Sequence, residues 1–442
     1  MPVKPIRIWN EEFETMPRPR LAEWQLQRLQ KTADHVRANV PFYREAFAAA
    51  RVPEAGLRSL EALGSLPFTT KQDLRGQYPL GLLAVPRDDV VRIHATSGTT
   101  GKPTITAYTA GDLEMWAEVM ARVYTMAGVT RGDVVHNAYG YGLFTGGMGF
   151  HLGGEKVGAM VLPVSGGMHK RQIMLMEDFG ATALASTPSY ALVLAEAARE
   201  ANVDFRARMK LRVGLFGAEP WTEEMRKEIE AQMGLEAFDS YGLTELVGPG
   251  VALECPYHDG LHIFEDHFLA EVIDPDTGAP LPDGAVGELV LTALTREAMP
   301  LIRYRTRDRV ALNRERCKCG RTMARMSKVR GRTDDMMVVR GVNLFPSQVE
   351  EVIVGIDGIE PNYLIVIDRP KNALDTLEVW VEAKPALWAL GPDAARRVEQ
   401  QVTHNLKETL GLSAAIRVQQ PNAIPRSEGK ARRVVDKRDL KA

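Results

Sequence analysis

The densest chemistry in the sequence is Thr96-Ser-Gly-Thr-Thr-Gly-Lys-Pro103, which follows a strand-like run from Val90 to His94. Glycines let backbone N–H groups approach phosphate oxygens, and Lys102 adds a point charge. Ser97, Gly98, Thr99, Thr100, Gly101 and Lys102 therefore make a candidate anion cradle. It is not a Walker A loop, which needs glycine where Thr96 sits and serine or threonine where Pro103 sits. A second group, Tyr241-Gly-Leu-Thr-Glu245, joins a ring able to stack on a base, a hydroxyl at Thr244 able to donate to phosphate, and a carboxylate at Glu245 suited to Mg²⁺. A third, Phe216-Gly-Ala-Glu-Pro220, ends an apolar strand in a tight turn, where open α/β sheets bind ligands. The same residues also describe a plain strand-to-helix turn with proline at the first helical position. Arg303-Tyr-Arg-Thr-Arg-Asp308 alternates, with three arginines on one face, a pattern common on solvated edge strands.

The cysteines are Cys255, Cys317 and Cys319. Cys317-Lys-Cys319-Gly320 is a compact thiolate pair, and Cys255 with His258 or His262 completes a tetrahedral Cys₃His set. Four protein ligands leave no open position, so any zinc there is structural. Three free thiols are the other reading.

These groups need elements to hold them. Leu21 to Val40 follows helical spacing and Pro41 ends the pattern. Short apolar strands at Asp133 to Ala138, Ala159 to Val164, Thr182 to Ser186 and Arg212 to Phe216 alternate with helical segments such as Pro188 to Glu200 and Thr222 to Met233. That alternation predicts an α/β sandwich with a mostly parallel sheet. After Tyr257 the texture changes to hairpins, with turn signals at Asp274 to Gly278 and Pro282 to Gly284 around a strand from Val286 to Ala293. Past Arg332 the order is helix (Pro346 to Ile356), strand (Asn362 to Asp368), strand (Leu377 to Glu382), helix (Asp393 to Leu410) and strand (Ile416 to Gln420), which predicts a small open-faced sandwich.

At the cradle and at four further motifs the sequence resembles the acyl-adenylate-forming ligases, and within them the phenylacetate–CoA ligase family. The resemblance runs from Val40-Pro-Phe-Tyr-Arg44 to Gly429-Lys430. It implies an α/β fold with a large N-terminal α/β domain of mostly parallel sheets (residues 1–333), including a small β-rich subdomain at about 255–330. A small C-terminal α+β domain (334–442) follows, joined by a hinge. It implies that Tyr241, Gly242 and Thr244 contact the nucleotide, that adenine lies against Gly217, Ala218, Glu219 and Pro220, and that Asp308 takes both ribose hydroxyls, as a carboxylate can. In Gly331 to Asn343 it makes Arg332 a nucleotide contact, Asp334 the hinge pivot and Gly341 the point where backbone passes pantetheine. Ile424-Pro-Arg-Ser-Glu-Gly-Lys-Ala431 matches the motif of the adenylation lysine, so Lys430 and Glu245 are the implied catalytic residues. Tyr139 and Phe144, in the glycine-rich Tyr139 to Gly147 stretch, are implied as walls for an aryl acid. Leu261 to His267 resembles a family segment, although Phe264 replaces a common tryptophan, and this favours His262 over His258 as the fourth zinc ligand.

The implied activity is an ATP-dependent aryl-acid–CoA ligase using Mg²⁺ and coenzyme A. Phenylacetate, a hydroxylated relative, a benzoate-like or an indole-acetate-like acid all fit. A carrier-protein thiol as acceptor, or a non-catalytic adenylate- or acyl-CoA-binding protein, are the rival readings. The composition, 45% hydrophobic and 25% charged with formal net charge -2, carries no long run of one sign, which argues against nucleic acid as a partner. No stretch approaches the roughly eighteen apolar residues of a membrane span, and sparse cysteines suit a reducing, cytoplasmic compartment. A homodimer is what similar proteins suggest.

Overall fold

The computed structural model describes residues 6–53, 56–96, 103–333, 337–339, 342–344, 346–368, 375–410, 413–426 and 433–438. The anion cradle (Ser97, Gly98, Thr99, Thr100, Gly101, Lys102), Asp334, Gly341 and Lys430 lie outside the described residues.

Helical spacing near the N-terminus gives the Arg18–Asn39 helix, whose buried stripe includes Leu21, Leu29, Ala33 and Val36. Pro41 ends it and also begins the Pro41–Ala49 helix, because a first helical residue needs no N–H partner. The short strands fall close to their expected places, at Val134–Asn137, Met160–Pro163, Ala183–Ser186 and Val213–Gly217. Local capping defines the helices between them. Thr187 caps Pro188–Glu200, Thr222 caps Glu223–Met233, and Gly234 closes the latter in the left-handed conformation.

These strands and Glu236–Leu243 pair in parallel. Gly248–Glu254, Leu261–Ile263, Arg325–Met326 and Leu312–Asn313 then extend the sheet antiparallel to nine strands. The sheet is thus mixed, parallel in one half only. Strands of the hairpin-rich region divide between this sheet and a three-stranded one made of Phe268–Ile273, Gly287–Ala293 and Tyr304–Val310. Both pack on one large apolar core that also takes in the N-terminal helices.

Beyond residue 337 a separate core forms. Its four-stranded sheet runs Ala415–Gln419, Thr376–Ala383, Ile359–Asp368, Val434–Asp436, and the helices Pro346–Val354 and Pro392–Leu410 contribute buried residues to the core. The expected helix–strand–strand–helix–strand order is present, with the last strand, Val434–Asp436, added in parallel beside Ile359–Asp368.

Candidate active site

The parallel strands Val213–Gly217 and Glu236–Leu243 end side by side, and a cleft opens at their carboxyl ends. It spans about 830 Å³ of space, part of which is open solvent. Ala218, Glu219 and Pro220 line one wall, Tyr241, Gly242 and Glu245 another, and Asp308 and Arg332 a third. Residues separated by more than a hundred positions in sequence therefore share one cavity.

Asp308 sits at the centre of a polar junction. Its Oδ2 accepts from the Tyr241 hydroxyl at 2.6 Å and its Oδ1 from Arg332 Nη1 at 3.0 Å. Burial and the Asp308 charge hold the Tyr241 phenol well above its ordinary pKa, so it remains a donor. Along the Tyr304–Val310 strand, alternation turns Tyr304, Thr306 and Asp308 toward the cleft. The arginines of this stretch serve the opposite face, where Arg303 pairs with Glu271 at 3.0 Å and Arg305 with Glu288 at 2.6 Å. Arg307 also reaches Glu288, at 3.5 Å.

Two glycines of the site are fixed by strand pairing. A Cβ on Gly217 would lie 2.1 Å from the Ser240 carbonyl oxygen, and one on Gly242 would lie 2.1 Å from that of Gly248. Ala218 follows with φ 70, a left-handed conformation that a residue with a Cβ adopts only under constraint. The Glu219 carboxylate turns to the adjacent helix and accepts from the Ser189 backbone N–H at 2.8 Å and from the Ser189 hydroxyl. Glu219 thereby shapes the wall while its side chain caps Pro188–Glu200.

Thr244 is buried, with its hydroxyl 3.1 Å from that of Thr145. Glu245 is 8% exposed and faces Lys71 Nζ at 3.7 Å, and Tyr304 hydrogen-bonds it as well. The neck of the anion cradle lies against the same region. Thr96 N–H donates to Thr104 O at 3.0 Å, and Ala95 N–H to Leu143 O at 2.8 Å, one residue before Phe144. Tyr139 and Phe144 flank Gly146, where an added Cβ would fall 3.2 Å and 2.6 Å from their rings. Tyr139 stacks on Phe150 with centroids 4.7 Å apart, and its hydroxyl is hydrogen-bonded to the Gly217 backbone. Phe144 remains 38% exposed.

Sequence reasoning missed Lys71, Trp221, Asp239 and Lys328, all of which line the cleft. Asp239 had a readable signal, because it precedes Tyr241 by two positions on one strand and so shares its face. Burial and the Glu254 charge push its carboxyl up to about 6, against the opposing pull of Lys328 and Arg226. Lys328 lies 4.6 Å from the Trp221 ring centroid and pairs with Glu223.

Cys255, His262, Cys317 and Cys319 are all buried, with ligand atoms within 4.8 Å of one another. Cys255 and Cys317 sulfurs are 3.8 Å apart, and Cys319 Sγ is 3.5 Å from His262 Nε2. A zinc tetrahedron with bonds of about 2.0–2.3 Å has edges of this size, so the set fits the ion. His262 Nδ1 has no hydrogen-bond partner among the described residues. His258 turns away, to Glu254 at 3.2 Å and Glu236 at 3.0 Å.

Comparison with known proteins agrees with this geometry. The family model for AMP-binding enzymes matches residues 17–293, and that for the AMP-binding enzyme C-terminal domain matches residues 341–438. The phenylacetate-coenzyme A ligase of Thermus thermophilus is 47% identical over 445 residues, covering 98% of this chain and 100% of the relative. That of Escherichia coli is 48% identical over 431 residues, covering 97% and 98%. The chain belongs to the phenylacetate–CoA ligase family. It is an ATP-dependent, AMP-forming acid–CoA ligase with the adenylate-forming fold. Among solved structures, a 2-hydroxyisobutyryl-CoA ligase in the postadenylation state with 2-HIB-AMP superposes with TM-score 0.92 at 30% identity, over 99% of this chain and 94% of that one. The same relative in the thioesterification state, with 2-HIB-AMP and CoA, gives 0.73 at 31% identity and the same coverage. The two large pieces of this ligase therefore stand in the arrangement that the relative takes after adenylation. No helix among the described residues is long and apolar enough to cross a membrane.

Proposed function

We propose that the ligase activates phenylacetate, in two half-reactions at the cleft described above. A carboxylate oxygen attacks the α-phosphorus of ATP, a P–O bond breaks and pyrophosphate leaves. The CoA thiol, with a reference pKa of about 8.5, then loses its proton and displaces AMP from the acyl carbon. A carboxylate is a poor electrophile because its charge is shared over two oxygens, and conversion to a mixed anhydride supplies the leaving group. Charge grows on phosphorus oxygens in the first step, so positioned donors and cations are the catalytic resource.

The reading assigns the ribose hydroxyls to Asp308, base stacking to Tyr241, phosphate contacts to the Ser97–Lys102 cradle and Thr244, and the bridging cation to Lys430. Arg332 both holds Asp308 and approaches the nucleotide. The chemistry of the Glu245 carboxylate suits Mg²⁺, which when bound neutralises phosphate charge. Tyr139 and Phe144 bound the acyl end. Residues 1–333 form the adenylation core and 334–442 a mobile domain hinged at Asp334, with Gly341 beside pantetheine. Zn²⁺ held by Cys255, His262, Cys317 and Cys319 supplies a cross-link and no reaction chemistry. The reading further takes the enzyme as a cytoplasmic homodimer.

The observation that carries this is the Tyr241–Asp308–Arg332 junction in one cleft with Glu245, in a chain 47% identical throughout to a phenylacetate-coenzyme A ligase. The deciding experiment measures AMP release from a panel of aryl and alkyl acids with and without CoA. Phenylacetate should give the highest kcat/KM and require CoA for turnover. A clear preference for an alkyl acid, or turnover only with a carrier-protein thiol, overturns the assignment.

A further inference from the structure

The Arg426 guanidinium stands between the two large pieces of the molecule with all its donors engaged. Toward the nucleotide-binding sheet it makes a two-pronged contact with Glu196, on the Pro188–Glu200 helix, from Nε at 3.0 Å and Nη2 at 2.8 Å. Toward its own sheet it contacts Glu382, on the Thr376–Ala383 strand, from Nη1 and Nη2, both at 2.7 Å. It also donates to the Ile424 carbonyl at 3.0 Å and to Asn422 Oδ1 at 3.2 Å. Glu382 is fully buried and further accepts from the Asn422 and Ile424 backbone N–H groups at 2.9 and 3.2 Å. Asn422 to Arg426 is thus a rigid turn built around one carboxylate.

These two contacts have different fates. The one with Glu382 is internal to the C-terminal unit and moves with it in any rotation. The one with Glu196 crosses between units, in an arrangement that superposes on the postadenylation relative with TM-score 0.92 and on its thioesterification form with 0.73. Its neighbours across the same seam are weaker. Arg199 reaches Glu360 at 3.6 Å and Lys384 reaches Glu228 at 3.9 Å, with at least one partner exposed in each. A planar guanidinium clamped on two carboxylates is far more directional than either.

We infer that Arg426 is a positioning residue for the first half-reaction. By bridging Glu382 to Glu196 it fixes the root of the segment that carries Lys430, four residues on, against the nucleotide-binding sheet. The contact with Glu196 must break before the CoA step. This rests on the adenylation reading above, and it predicts that a residue remote from the substrate controls one half-reaction only.

The test uses the full-length enzyme with Glu196→Gln, which keeps shape and removes charge on a surface helix, and Glu196→Asp as the conservative variant. Acid-dependent ATP–pyrophosphate exchange reads adenylation, and consumption of supplied acyl-adenylate by CoA reads thioester formation. Glu196→Gln should lower the exchange kcat about five- to thirtyfold, the effect of losing one firm contact. The KM values should change by less than about twofold, because no substrate contact is lost. Thioester formation should hold or speed up, and Glu196→Asp should recover part of the exchange rate. An equal fall in both half-reactions, a change confined to KM, or no change in either overturns the inference. Exchange is measured with whichever acid the wild type adenylates. A wrong acid is then seen in the wild type, and a wrong clamp only in the variants.

Discussion

Asp308 accepts from Tyr241 on one side and Arg332 on the other, so the carboxylate proposed to hold the ribose is already oriented. Replacing it with Asn keeps the shape but gives up the charge and one acceptor. A hydrogen bond to a charged group contributes about 1.5–3 kcal/mol, so Asp308→Asn should weaken ATP about ten- to a hundredfold. The check is the KM for ATP in pyrophosphate exchange alongside the Kd from calorimetry. Asp239 makes a different prediction. Its folded-state pKa of about 6 lies above the ordinary aspartate value, because burial and Glu254 disfavour the charge. Between about pH 4 and 6 the folded protein holds a proton that the unfolded chain has released, so this group's contribution to stability falls as pH rises through that window. Asp239→Asn should therefore raise the melting midpoint most at pH 8 and by clearly less at pH 4.5. A stabilisation equal at both pH values would show that the shift is absent. Of these residues, Tyr241 was legible from its compact motif, whereas Asp308 stood out only through the family resemblance, since its own stretch reads as a solvated edge strand. Lys71 was not, because it lies in the first turn of a short helix capped by Thr70 and Asp73, and its meeting with Glu245 is purely tertiary.

The parallel strands were readable because each is an apolar run bounded by helical periodicity. The antiparallel half of the sheet was not. Leu312–Asn313 and Arg325–Met326 are two residues each, too short to display a period, and they exist only because Leu261–Ile263 offers an edge. The cluster of Cys255, His262, Cys317 and Cys319 gives these short pieces a reason to persist. Just past Cys319, the wholly buried Arg321 pairs with Glu14 at 2.6 Å and donates to the Arg7 carbonyl at 2.6 Å, while Thr322 holds the Glu14 and Met16 carbonyls. The cluster thereby clamps the start of the chain. Its cysteine pair was visible in sequence, but its attachment to residues some three hundred positions earlier was not. Removing zinc with a chelator, or Cys319→Ser, should lower the unfolding midpoint and release about one zinc per chain. Arg321→Ala with zinc retained should cost about 3–5 kcal/mol, because Glu14 is left as an uncompensated buried charge. Denaturant titration beside metal analysis separates the two effects. Full stability without zinc would remove the structural role.

Over the whole molecule, the constraint is that one cleft must serve two reactions with different needs. Adenylation needs a cation at the α-phosphate, whereas thioester formation needs room for a thin thiol chain. The C-terminal unit has a core of its own that starts at Met337, separate from the two that precede the Arg330 to Thr333 segment. That segment is tied to the Tyr304–Val310 strand by Arg309 N–H to Gly331 O at 2.9 Å and by Thr333 N–H to Arg307 O at 2.7 Å. This places the proposed rotation after Thr333, at the position the proposed hinge gives to Asp334. Under the proposed hinge, Lys430 is assigned to the first reaction only. Lys430→Ala should reduce acid-dependent pyrophosphate exchange about 10²–10³-fold, the effect of losing one transition-state donor. Conversion of supplied acyl-adenylate to thioester by CoA should persist at close to the wild-type rate. The same assay pair distinguishes it from Glu196→Gln, which loosens the arrangement but leaves the Lys430 ammonium in place and so should cause the smaller loss. Should Lys430→Ala abolish both steps alike, the two reactions share one arrangement and neither the pivot nor the clamp has the role given to it.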